Sequence, residues 1–145
     1  MKTVTFCGHG DCTVSDEVKR WLYEAIETEI KNGAELFYFG GYGAFDRAAA
    51  QTVWELKQKY PHIKSVLVLA YLDRKVDIKY YDYTTYPPLE NTPLRFAILK
   101  RNEWMIREAD VVIAYVLHSW GGAAQTLKYA QRNNKRIRNY EKECQ

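Results

Sequence analysis

Three glycine-bearing segments of this chain, 8–13, 40–44 and 117–122, each follow an apolar run and precede residues with helical spacing. Glycine allows a backbone to approach a ligand closely, and a helix N-terminus offers free N–H groups and a partial positive charge that favour phosphate. The pattern therefore predicts a site for a nucleotide or phosphoribosyl group, although each segment alone is equally compatible with a plain tight turn. The candidate glycines are Gly8, Gly40, Gly41, Gly43, Gly121 and Gly122.

Four other side chains in or beside these segments could take part in such a site. His9 lies between two glycines and is either a polar loop residue or part of the cleft. Asp46, in the first turn of a predicted helix, is either a carboxylate stabilised by the helix dipole or a group that binds a ribose hydroxyl or polarises a substrate. Trp120 could stack on a base or cover the end of the sheet, and Thr126 could bind phosphate or bond back within its helix.

Metal chemistry and secretion are not predicted. Cys7, His9, Asp11 and Cys12 are metal-ligand types, but their spacing matches no zinc pattern, so we predict no metal and no cofactor other than a bound nucleotide. The 3 cysteines, which include Cys144, are an odd number and suggest no disulfide framework. We expect a reducing, cytoplasmic location, with no signal peptide and no membrane-spanning helix.

The composition is that of one ordinary domain over residues 1–145. With 21 Lys and Arg against 18 Asp and Glu, the net charge of +3 is too small to indicate nucleic acid without a concentrated basic patch. Basic residues around 95–107 are either a solvated face or, at Arg95 and Arg101, phosphate contacts. The 12 Tyr and 4 Trp predict an aromatic-lined surface, and we expect a homo-oligomer.

The order of elements predicts an α/β fold with a mostly parallel sheet of about five strands. The predicted strands, with helices between them, cover 2–7, 36–39, 65–71, 111–116 and 136–140. The usual doubly wound order puts the first strand in the centre, the second and third on one side, and the fourth and fifth on the other. Ligands then bind beyond the carboxyl ends of the first and fourth strands, where the winding reverses. Residues 72–92 predict a long surface excursion.

Four segments, in this order along the chain, carry a resemblance to a known family. They are 6–9, 40–46 with Ala48-Ala49, 101–106 before Ala109-Asp110, and 121–126 with Ala130. The chain resembles the SLOG superfamily, the Rossmann-like group named for Smf and Lonely Guy proteins, and in particular its small stand-alone bacterial and phage members. The resemblance implies a Rossmann-like three-layer sandwich that binds nucleotides or their derivatives at its glycine loops.

The resemblance also implies site residues and an activity. The positions that it carries over are Gly8, His9, Gly41, Asp46, Arg101, Asn102, Gly121, Gly122 and Thr126. Lonely Guy enzymes hydrolyse cytokinin nucleoside monophosphates with a Pro-Gly-Gly-x-Gly-Thr-x-x-Glu motif and an arginine. Segment 119–126 stands in that place in this chain, with no proline before the glycines and no glutamate at the end.

Residues and resemblance together predict a nucleotide-binding protein with a sensing or sequestering role and no turnover. The alternative is an N-glycosidic phosphoribohydrolase of Lonely Guy type, with Asp46 as the only catalytic candidate. The helix dipole favours the charged form of Asp46, and hence charge stabilisation over acid catalysis. The third hypothesis is a module that binds single-stranded nucleic acid, because Smf-type relatives bind single-stranded DNA. The modest charge argues against such a partner.

Overall fold

The computed structural model describes residues 1–140, so Cys144 and the rest of the polar C-terminal tail lie outside the described residues. The strands are β1 (Lys2–Gly8), β2 (Ala34–Phe39), β3 (Lys64–Val68), β4 (Tyr83–Thr85), β5 (Val111–Tyr115) and β6 (Arg136–Asn139). The helices are α1 (Asp16–Lys31), α2 (Ala44–Leu56), α3 (Ala97–Glu108) and α4 (Gly122–Arg132), with a short 3-10 turn, Leu94–Phe96, before α3.

These strands form one parallel sheet in the order β4-β3-β2-β1-β5-β6. The predicted α/β class, the central place of β1 and the reversal of winding between β1 and β5 are confirmed. The described sheet has one strand more than predicted, because β4 lies within the predicted excursion 72–92 and pairs with β3. Strand β4 is three residues long and mostly exposed, so it has no run of buried apolar residues that would reveal it.

Helices cover both faces of the sheet, and the central strands β1 and β5 are buried on both faces for that reason. Strand β5 is buried throughout. Its residues Val111 and Ile113 belong to the core beneath α1 and α2, whereas Val112 and Ala114 belong to the core beneath α3 and α4. This alternation along one strand gives the three-layer arrangement.

The sheet brings the glycine segments to one edge. Because all strands run in the same direction, the loops that follow β1, β2 and β5 meet beyond their carboxyl ends. Ser15 is the N-cap of helix α1, and its Oγ accepts the backbone N–H of Val18 at 3.2 Å. In residues 1–140, the helices are all too short or too polar to cross a membrane.

Candidate functional site

A cleft of about 180 Å³ lies where the winding of the sheet reverses. Its walls come from the ends of β1 and β2, the start of α2, one side of α3 and the start of α4. Seven of the residues predicted for the site line this switch-point cleft: Gly8, Gly40, Asp46, Arg101, Asn102, Gly122 and Thr126. Three apolar residues that sequence reasoning missed, Ile98, Met105 and Ala123, complete much of its wall.

The other predicted residues border the cleft without lining it. His9 and Gly43 lie in the neighbouring loops, and Trp120 and Gly121 immediately precede α4. Gly41 lines a second pocket, on the opposite side of the loop after β2.

The Asp46 carboxylate holds the loop after β2 in place. Its two oxygens accept the backbone N–H groups of Gly40 at 3.3 Å and Gly41 at 2.7 Å. Burial raises the pKa of Asp46 to about 6, while these two N–H groups and the nearby Arg101 oppose that rise. Both carboxylate oxygens therefore have partners within the chain itself.

Arg101 supports the same loop from the other side. Its side chain is buried, and Nη1 donates to the carbonyls of Gly40 and Val68 at 2.9 Å each. Nε donates to Oδ1 of the adjacent Asn102 at 2.9 Å. Burial lowers the pKa of Arg101, and the Asp46 carboxylate opposes that shift. The arginine predicted as a phosphate contact thus links the ends of β2 and β3.

The N-terminus of α2 is occupied by the chain itself. The N–H of Ala44 donates to the carbonyl of Gly10 at 3.1 Å. A Cβ added to Gly43, which has a φ of +92°, would lie 2.6 Å from the Cα of Gly10. The glycines are needed here for the close approach of two loops, and the N–H of Ala44 is not available to a ligand.

The N-terminus of α4 is open. No side chain caps it, and a Cβ added to Gly121 or Gly122 would meet nothing within 4 Å. Gly122 and Ala123 line the cleft, and the first N–H groups of a helix have no acceptor within it. Thr126 donates its hydroxyl hydrogen to the carbonyl of Gly122 at 2.9 Å, which is the back-bonded alternative considered above. An open and uncapped helix N-terminus is a type of position at which anions bind in proteins.

Three aromatic rings stack beside this open end. The His118 ring lies between those of His9 and Trp120, at centroid distances of 3.9 and 3.8 Å and interplanar angles of 17° and 15°. The backbone N–H of Leu117 donates to Nε2 of His9 at 2.9 Å. Burial and His118 lower the pKa of His9, which favours its neutral form. Trp120, at the outer end of the stack, is 69% exposed.

His118 is the member of this stack that the sequence did not single out. The available signal was its position in the third glycine-bearing segment, two residues before Trp120. No spacing rule links it to His9, which is distant in sequence, so only the adjacency of β1 and β5 could have revealed the contact.

The Cys7 thiol at the end of β1 is buried and hydrogen-bonded. Cys7 is buried and donates to the carbonyl of Ala123 at 3.0 Å, and burial raises the pKa of its thiol to about 12. Such a thiol is not a nucleophile near neutral pH. Within residues 1–140, there is no group of three His, Cys, Asp or Glu that could hold a metal ion.

No family model matches the chain. One curated relative, the uncharacterized SPbeta prophage-derived protein YoqJ of Bacillus subtilis (strain 168), is 27% identical over 141 residues, covering 80% of this chain and 81% of the relative.

Solved structures share the fold at lower identity. The protein TM1055 has a TM-score of 0.64 at 20% identity, over 94% of this chain and 72% of its own. DNA processing protein A of Helicobacter pylori, described with single-stranded DNA, has a TM-score of 0.66 at 19% identity, over 95% and 64%. The molybdenum cofactor carrier protein of Chlamydomonas reinhardtii has a TM-score of 0.66 at 12% identity, over 96% and 76%. This chain is thus an α/β protein of the Rossmann-like class, and it spans less than two thirds of the DNA processing protein.

Proposed function

We propose that the chain binds a nucleotide or nucleotide-derived small molecule in the switch-point cleft, with a phosphate group at the N-terminus of α4. The observation that carries this proposal is the open end of α4. Gly122 lies on the wall of the cleft, no side chain caps the helix, and a Cβ at this position would meet nothing within 4 Å. The dipole and the first N–H groups of α4 favour a phosphate there.

We place the base of this ligand against Trp120. This residue precedes Gly121 directly, and its ring is 69% exposed at the outer end of the aromatic stack. A ligand with a phosphate at α4 and a base against Trp120 would use both features of one loop. We further propose, with the resemblance above, that the chain is a small SLOG protein with a sensing or sequestering role. A homo-oligomer in the cytoplasm belongs to the same proposal.

Binding without turnover is preferred because of Asp46. Each of its oxygens already accepts a backbone N–H group of its own loop, which gives the carboxylate a structural role that needs no substrate. The alternative is the phosphoribohydrolase. It would be supported if the wild-type chain released free adenine from AMP and the Asp46→Asn variant did not.

A single-stranded nucleic acid is the second candidate ligand. Its support is the likeness to DNA processing protein A, together with the exposed Trp120, since aromatic side chains are platforms for unpaired bases. Binding of a thymidine oligonucleotide that weakens steeply between 50 and 200 mM salt would favour this candidate. If the nucleic acid is the ligand, AMP should bind more weakly than the oligonucleotide in the same titration.

The first experiment identifies what the purified chain carries. Native mass spectrometry, followed by denaturation and analysis of released small molecules, should give an intact nucleotide or derivative at one per site. A nanomolar ligand, at about −12 kcal/mol, survives purification. A free base or ribose phosphate instead would favour hydrolysis.

The phosphate position is tested by two substitutions of equal shape. Gly122→Asp puts a carboxylate at the open end of α4, and Gly122→Asn puts a neutral amide there. Because φ at Gly122 is not positive and the space is open, both variants should fold. We expect AMP or the copurified nucleotide to bind at least about tenfold more weakly to Gly122→Asp, and within about threefold of wild type to Gly122→Asn. Equal binding by both variants and the wild type would contradict the proposed position.

A further inference from the structure

A second pocket lies across the loop after β2 from the switch-point cleft. Its volume is about 230 Å³, and its outer wall is formed by segment 69–81, which precedes β4. Gly40, Tyr42 and Arg101 border both spaces. None of the proposed phosphate contacts of α4 lines this second pocket.

The charge on its walls has one predominant sign. Arg47, Arg74, Lys75 and Arg101 line the second pocket, against one carboxylate, Asp77. A concave site lined by charges of one sign concentrates the electrostatic potential and attracts ions of the opposite sign. The pocket is therefore suited to an anion.

Arg101 supplies a buried cation with a free donor. The residue is 2% exposed, and its Nη1 and Nε have acceptors at 2.9 Å. Its Nη2 has no hydrogen-bond partner among residues 1–140. This nitrogen is not among the buried atoms that lack a partner, so it reaches solvent and is available to donate to an anion in the pocket.

The outer wall is held in place before any ligand arrives. The Arg74 guanidinium lies 3.8 Å from the centre of the Tyr71 ring, and Tyr71 Oη donates to the carbonyl of Leu94 at 3.1 Å. At the other end of the segment, Asp82 accepts hydrogen bonds from Lys57 Nζ and the backbone N–H of Ser65. A wall fixed at both ends loses less conformational entropy when a ligand binds.

We propose that the second pocket binds a small phosphate-bearing anion, with Arg74, Lys75 and Arg101 as its cationic partners. This site is additional to the one at α4: Arg74 and Lys75 line the second pocket alone, whereas Arg101 borders both spaces. The phosphate is either that of a second molecule or a further phosphate of the ligand in the switch-point cleft, because Tyr42 and Arg101 border both spaces.

The test is a calorimetric titration of the whole chain with inorganic pyrophosphate, in the Gly122→Asp background so that the site at α4 does not contribute. We expect one equivalent to bind. Adding Lys75→Gln should weaken binding at least about tenfold, because a charge-assisted contact is lost. The matched control is Lys79→Gln, an exposed lysine on the same segment that does not line the pocket, with an expected change below about twofold.

The outcomes separate this site from the one at α4. If the Gly122→Asp chain binds no pyrophosphate, or if Lys75→Gln and Lys79→Gln weaken it equally, the second site is refuted whether or not the wild type binds AMP. Adenosine 3′,5′-bisphosphate identifies the source of the phosphate. Weaker binding of this probe in both Gly122→Asp and Lys75→Gln indicates one ligand that spans both spaces. Weaker binding in Gly122→Asp alone, with pyrophosphate binding retained, indicates a second molecule.

Discussion

The N-termini of helices α2 and α4 follow similar glycine-bearing loops, but another loop of the chain closes the first and the second is open. Each starts after a glycine in the left-handed region, with a φ of +92° at Gly43 and +91° at Gly121, and neither has a side-chain cap. At Gly43 the chain closes on itself, because Gly10 approaches and accepts the N–H of Ala44. At Gly121 there is open space within 4 Å of an added Cβ.

The difference teaches that glycine after a strand has two separate uses. In the loop before α2 it permits one part of the backbone to approach another, and Asp46 and Arg101 then complete the hydrogen bonding of that loop. In the loop before α4 it leaves the N–H groups of the helix accessible. The presence of glycines between a strand and a helix does not show which use applies. Substitutions at Gly43 and Gly121 distinguish the two.

The largest expected effect is on stability at Gly43. Both Gly43→Ala and Gly121→Ala place a side chain in a backbone region that is close to glycine-only, at a cost of about 1–3 kcal/mol. Gly43→Ala also forces a Cβ into the Gly10 backbone, so its total loss should reach about 3–5 kcal/mol. Urea unfolding measures both variants. Equal losses would show that the close approach to Gly10 does not matter.

The next effect concerns Asp46, whose carboxylate accepts two backbone N–H groups of the loop between β2 and α2. Asp46→Ala leaves the N–H groups of Gly40 and Gly41 without their acceptor, with an expected loss of about 1–3 kcal/mol in the free energy of unfolding. The matched control is Asp16→Ala, an exposed aspartate in the first turn of α1, which should lose less.

The pH dependence of stability gives Asp46 a second readout. Burial raises its pKa in the folded chain to about 6, so the folded chain holds this proton more tightly than the unfolded chain does. Its contribution is therefore full at low pH and is lost as the pH rises from about 4 to about 6. The loss caused by Asp46→Ala should accordingly be larger at pH 4.5 than at pH 7. A loss that grows with pH would show that the charged form is the stabilising one.

The last prediction concerns the open end of α4 and is measured as ligand binding rather than as stability. Trp120→Ala should weaken binding of AMP by about 1–3 kcal/mol if the base stacks there, whereas ribose 5-phosphate should bind as it does to the wild type. Trp120→Phe keeps a ring and should retain most of the affinity for AMP. Equal weakening for AMP and ribose 5-phosphate would place Trp120 near the phosphate and exclude stacking as its role.

Much of the fold could be predicted because it depends on local patterns. Apolar runs such as Val111 to Val116 indicate strands buried on both faces, and Ser15 marks the start of α1. Strand β4 could not be predicted, because three mostly exposed residues gain their place only by pairing with β3. The position of the switch-point cleft followed from the strand order, because right-handed crossovers that cover both faces of the sheet require the winding to reverse.

The roles of single site residues were harder to predict. Asp46 and Arg101 were candidates for ligand contacts, and both are bonded to backbone groups of the loop after β2. The contact between Arg101 and Gly40 joins residues far apart in sequence, and such a contact depends on how α3 packs beside the sheet. The stack of His118 on His9 has the same origin.

Arg101 has one more consequence, which concerns cooperativity between ligands. Its guanidinium is a shared boundary of the switch-point cleft and the second pocket. An anion on one side lowers the positive potential on the other, so two separate anions should oppose each other. Thermodynamic linkage requires the opposition to be reciprocal, with each anion weakening the other by the same factor. A single ligand with a phosphate on each side places both phosphates beside the same guanidinium. The covalent link between its phosphates must then compensate for the weaker attraction that each of them experiences.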